Sequence, residues 1–83
     1  MTLHYTERFL RTLKKLPRHI KEDTFRALDR LQNPSEREPL HVYPLEGRLR
    51  GLSAITINFA YQAIALMKDG NIIMLDATQR AKE

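Results

Sequence analysis

The chain has no cysteine, so neither a disulfide nor a thiolate metal centre can hold it together. That is compatible with a reducing compartment. It has no apolar run near the roughly 20 residues that a membrane helix needs. Its opening residues, MTLHYTERF, lack the apolar core of a secretory signal. No segment repeats, none is of low complexity, and no linker is long enough to separate domains. There is no P-loop, no zinc-ligand spacing and no Ser-His-Asp arrangement. His4 and His19 flank the first predicted helix and fit no metal-ligand spacing. These absences lead to the expectation of a cytoplasmic protein with no membrane segment, no metal and no cofactor.

The 83 residues suffice for one domain, 1–83. A domain of this size buries only about 60% of its unfolded surface, so modest stability is expected. With 42% hydrophobic and 29% charged residues, the chain reads as globular rather than disordered. The net charge is +4 and unevenly spread: residues 1–50 carry eleven Lys/Arg and seven Asp/Glu, whereas residues 51–83 balance. A small basic domain fits nucleic acid or an acidic protein partner; the plainer alternative is a solvated surface.

Leu3-His4-Tyr5 reads as a short first strand. Thr6 is placed to cap a helix, because its hydroxyl can accept from a backbone N–H one turn on. Phe9, Leu10, Leu13 and Leu16 then recur at helical spacing among basic residues, and Pro17 breaks the helix. A second helix is expected from about Arg18 to Gln32, with a stripe of Ile20, Thr24, Ala27, Leu28 and Leu31 and with Phe25 at its margin; Asn33-Pro34 stops it. Ser35 to Pro44 is polar, proline-bearing and expected as loop. Strands are expected over Leu52–Asn58, Tyr61–Met67 and Ile72–Ala77, with a hairpin turn at Lys68-Asp69-Gly70-Asn71. The expected fold is α+β, ordered β-α-α-β-β-β. A helix hairpin covers one face of a small antiparallel sheet, and the other face stays open and shallow.

The segment YPLEGRLRGLSAITINFAYQ, Tyr43 to Gln62, is the most specific stretch of the chain. Pro44, Leu45, Gly47, Leu49 and Gly51 form a Pro-Leu-x-Gly-x-Leu-x-Gly lead-in to a strand. Ile57, Asn58 and Tyr61 follow, then Leu75, Asp76 and Thr78. This order resembles the RelE/ParE superfamily of bacterial toxins, most closely its RelE/YafQ/YoeB-like branch, and covers nearly the whole chain. The resemblance implies a type II toxin held inactive by a cognate antitoxin, acidic and partly disordered, with the pair binding operator DNA through the antitoxin. It also implies a ribosome-dependent endoribonuclease on messenger RNA. In that metal-free reaction a ribose 2′-hydroxyl attacks the adjacent phosphate, a base takes its proton, an acid protonates the leaving oxygen and cations stabilise the phosphorane.

The positions that the resemblance marks for catalysis carry other residues here. Tyr43 stands where His or Glu is usual for the base, and a phenol is a poor base at neutral pH. Gln62 replaces a phosphate-holding arginine with an uncharged donor. Thr56 replaces a second arginine, and Gln79, followed by Arg80, replaces the histidine that would act as the acid. His41 is an alternative proton acceptor. Arg48 and Arg50, on one side if their loop is a strand, are the candidate phosphate contacts together with Arg80. Tyr61 is a candidate for stacking on a base. Glu46 is placed to pair with either loop arginine. The substitutions leave a second class of function open: a non-catalytic module on the same scaffold that binds an antitoxin or a protein target such as DNA gyrase. A stand-alone RNA-binding domain has only the charge behind it.

Overall fold

The computed structural model describes residues 2–33 and 41–80. Strand β1 (Thr2–Tyr5) leads into helix α1 (Glu7–Lys15), then α2 (Arg18–Gln32). Four strands follow: β2 (Val42–Pro44), β3 (Ser53–Thr56), β4 (Tyr61–Lys68) and β5 (Asn71–Gln79). They form one sheet in the order β1-β5-β4-β3-β2. Among the described residues no helix is long and apolar enough to cross a membrane.

The helix boundaries follow the local chemistry. Thr6 caps α1, its hydroxyl oxygen accepting from the Phe9 N–H at 3.1 Å. The same hydroxyl donates to Met74 O at 2.9 Å, and the Thr6 N–H donates there too, at 3.1 Å. One residue thus starts the helix and fastens it to β5. Pro17 is the N-cap of α2, and Asn33 ends that helix with its N–H on Asp29 O. The hairpin Asp69-Gly70 joins β4 to β5 with both residues at positive φ, 53° and 80°.

Two features depart from the expected sheet. Val42–Pro44 is a strand rather than loop, pairing antiparallel with β3 through Val42↔Ile55 and Tyr43↔Ala54. Proline is tolerated there because an edge strand leaves one side of its backbone outside the ladder. Residues 35–40 of the expected loop lie outside the described residues. The sheet is also mixed: β1 runs parallel to β5, Thr2↔Asn71 through Tyr5↔Met74, while the other three pairings are antiparallel. A parallel neighbour needs a long crossover, and the helix pair with three intervening strands supplies it.

The core lies between the helices and one sheet face. Phe9 and Leu28 meet Ile55, Ala63, Ala65, Ile72, Met74 and Ala77, all buried. Alanine at 63, 65 and 77 lets the helices approach closely, and Phe9 fills the space that remains. Thr24, buried within α2, donates its hydroxyl to Ile20 O at 2.7 Å, so no unpaired polar group faces the core there. Phe25, at the margin of the stripe, is exposed.

The register contains one irregularity that matters for the other face. Ile64 pairs with Asp76 and Ala65 with Met74, so Leu75 has no partner. Such a bulge bends its strand and re-aims its side chains. On either side of it, Met74 and Ala77 both belong to the helix-covered core.

Candidate functional site

The uncovered sheet face carries a hollow of about 350 Å³, lined by Arg8, Leu49, Leu52, Gln62, Ile64, Leu75, Asp76 and Thr78. Its floor is the open-face set of β4 and β5. Alternation puts Gln62 and Ile64 opposite the buried Ala63 and Ala65. The bulge brings two consecutive residues, Leu75 and Asp76, to the same wall.

Its roof comes from the Pro-Leu-x-Gly-x-Leu-x-Gly segment. The Leu45 N–H donates to Leu52 O at 2.9 Å, closing Glu46–Gly51 into a loop between β2 and β3. Inside the loop Gly47–Leu49 makes a single 3₁₀ turn. Gly47 and Gly51 bracket it at φ 68° and 94°, a region that other L residues rarely adopt. Leu49, from the turn, and Leu52, just after Gly51, line the hollow. The turn also corrects the expectation for Arg48 and Arg50. With about three residues per turn, they flank Leu49 and do not share one strand side. Both are exposed, and neither lines the hollow.

Tyr43 and Gln62 meet above the sheet, the phenol donating to Gln62 Oε1 at 2.8 Å. This contact occupies the amide oxygen, so the amide NH₂ is left to donate outward. His41 lies one step beyond β2, where its carbonyl accepts from the Thr56 N–H at 2.9 Å. Two residues along from Tyr43, it falls on the same face. Arg80 is tied by its backbone N–H to Ala60 O at 2.8 Å, and alternation carries its side chain to the Thr78 side.

Gln79 and Tyr61 stand elsewhere. They are directly paired in the ladder, and the Gln79 amide reaches the Tyr61 hydroxyl at 3.4 Å. Both follow the parity of Ala63 and Ala77, the helix-covered set. The structure therefore brings Tyr43, Gln62 and the Thr78 position together, with His41 and Arg80 on the same face. It separates Gln79 and Tyr61 from them.

Asn58 has a structural explanation. Its Oδ1 accepts from the Ala60 and Tyr61 N–H groups at 2.8 and 2.9 Å, and its amide donates to Asp23 of α2 at 2.9 Å. It closes the β3–β4 turn and clips it to the helices. Ile57, beside it, meets the core.

Sequence reasoning missed Arg8, Asp76 and Thr78 as wall residues. Arg8 Nη2 lies 3.2 Å from Asp76 Oδ2, and the Thr12 hydroxyl donates to Asp76 Oδ1 at 2.9 Å. Charge periodicity along α1 gave no sign that Arg8 would reach the sheet.

No known family profile and no curated protein matches the chain. Solved structures do. The toxin–antitoxin complex RelBE2 from Mycobacterium tuberculosis superposes with a TM-score of 0.74 at 22% identity, over 95% of this chain and 96% of that one. YafQ from Escherichia coli gives 0.76 at 15% identity, over 94% and 91%. The YoeB/ParE toxin from Agrobacterium tumefaciens gives 0.70 at 15% identity, over 98% and 100%. The chain has the RelE/ParE toxin fold. Within that fold the open sheet face and the 3₁₀ roof form its concave side, and the helix hairpin forms its convex back.

Proposed function

We propose that this chain is the toxin of a type II toxin–antitoxin pair, acting in the cytoplasm as a ribosome-dependent endoribonuclease on messenger RNA. One observation carries the reading: in a fold shared with solved toxins, the uncovered sheet face holds a hollow lined by Gln62, which is bonded to Tyr43. In this reading the ribose 2′-oxygen attacks the adjacent phosphorus and the 5′-oxygen leaves, giving a cyclic phosphate and a 5′-hydroxyl end. The Gln62 NH₂ donates to a non-bridging phosphate oxygen. The Tyr43 oxygen, its own proton directed to Gln62, orients the 2′-hydroxyl by accepting its hydrogen bond, and His41 or water takes the proton as the 2′-oxygen attacks. Arg48, Arg50 and Arg80 draw the RNA backbone to the rim. Gln79 has no acidic proton to transfer and faces away, so the leaving oxygen is protonated by water. Losing a general acid costs about 10²-fold or more, so a slow enzyme is the expectation. A cognate antitoxin, acidic and folding upon binding, covers the basic surface and carries the operator contact.

Induced expression with mapping of messenger 5′ ends tests the reading. Codon-linked cuts and growth arrest, relieved by an acidic protein encoded alongside, are expected. Arrest with intact messages and a DNA-damage response would transfer the chain to the gyrase-binding class, and no arrest would leave a binding module.

A further inference from the structure

One wall of the hollow comes from an element that the RNA reading does not use. Arg8, in the first turn of α1, is the only cation among the described residues that line it. Its partner is firmly seated. Asp76 Oδ1 accepts from the Thr12 hydroxyl and from the Ala77 N–H, both at 2.9 Å, and Oδ2 takes Arg8 at 3.2 Å. The two side chains are unequally exposed, 18% for Asp76 and 73% for Arg8. The carboxylate is built into the wall, whereas the guanidinium is held at one end and open at the other. Arginine has five N–H donors in a fixed fork. One contact to a carboxylate leaves enough of that fork for bidentate binding of a phosphate. Tethering the long side chain in advance also reduces the rotamer freedom lost when a ligand binds.

We propose that Arg8 is the phosphate-binding cation of this hollow and that Asp76 is its positioning residue. The inference rests on the RNA reading above, and its ligand is the backbone of single-stranded RNA. It gives the charge missing at Gln62 a source on a different element. It also accounts for a carboxylate in a hollow that receives an anion: the Asp76 charge is directed at Arg8 and turned away from the phosphate.

The rival account is an ordinary exposed pair that ties α1 to β5, and one variant separates the two by sign. Asp76→Asn removes a negative charge from the hollow, which on general electrostatics tightens RNA binding. If Asp76 positions Arg8, binding weakens instead. The experiment measures fluorescence anisotropy of a labelled, uncleavable 2′-O-methyl RNA oligomer with the full chain over a range of salt concentrations. Circular dichroism checks each variant's fold. Arg8→Ala should weaken binding about ten-fold, the scale of a charge-assisted hydrogen bond. The salt slope should fall by about 0.7, the value for one phosphate contact on a single strand. Arg8→Lys, which keeps charge but loses the fork, should fall between. Asp76→Asn should weaken binding, and should have no further effect in the Arg8→Ala background.

Unchanged affinity and slope in Arg8→Ala, with weakening in the Arg48→Ala/Arg50→Ala double variant, would overturn the Arg8 assignment and leave the RNA reading standing. A wild-type chain that binds no RNA even at low salt would overturn both. Tighter binding by Asp76→Asn, or an equal Asp76→Asn effect with and without Arg8, would remove Asp76 from the positioning role.

Discussion

The two faces of the sheet are written in alternate letters of the same strands, yet they answer to different constraints. On the helix-covered face, Ile55, Ala63, Ala65, Met74 and Ala77 close around Phe9 and Leu28, and volume decides what fits. On the open face, Gln62, Ile64, Leu75, Asp76 and Thr78 share their surface with a glycine-framed loop and with Arg8. There, hydrogen bonds and charge decide. One face can therefore change chemically without threatening the fold, and the other cannot. This fits an architecture shared with solved toxins at only 15–22% identity.

The comparison breaks most visibly at Phe9, which is fully buried. Phe9→Ala should cost about 3–5 kcal/mol, much of the stability of a domain this small, read as a lower urea midpoint. Gln62→Arg tests the opposite face. It restores a cation beside the hollow but gives up the Tyr43 contact, about 1 kcal/mol of stability. It should raise the rate of RNA cleavage by up to about 10²-fold, measured in single-turnover assays on ribosome-bound message. Asn58→Ala removes the turn acceptor and the link to Asp23, for a loss of about 1–3 kcal/mol. The Asn58→Ala change should leave RNA affinity unaltered, so a drop in affinity without a drop in stability would place Asn58 in the site after all. The smallest effect belongs to Gln79→Ala, an exposed change worth about 0.5 kcal/mol or less. Since Gln79 faces away from the hollow, cleavage should continue at the wild-type rate.

What was legible in the sequence was local. Thr6, Pro17 and Asn33 set the helix ends because capping and proline geometry act within a few residues, and Asp69-Gly70 set the last hairpin for the same reason. The apolar stripes named the covered face. The illegible features depend on partners far along the chain. Val42–Pro44 is a strand because β3 lies beside it, against the signal of its own proline. The bulge at Leu75 shifts the face of every later residue in β5 relative to the earlier ones, which is why Gln79, read from the motif as a site residue, lies with Tyr61 on the other side. Arg48 and Arg50 looked like a pair along a strand, but Gly47 and Gly51 wind their loop into a turn that presents Leu49 instead. Arg8 is one of several basic residues along α1, and its pairing with Asp76 depends on a partner far away in sequence.

The division of labour between the two faces can be read in one titration. Isotope-labelled chain, followed by amide chemical shifts as a short uncleavable RNA is added, should show perturbations at Arg8, Leu49, Gln62, Ile64 and Leu75 to Thr78. The helix-covered residues and the Tyr61–Gln79 pair should stay still. Shifts confined to the helical back or to the Tyr61 side, with the hollow unmoved, would contradict the account.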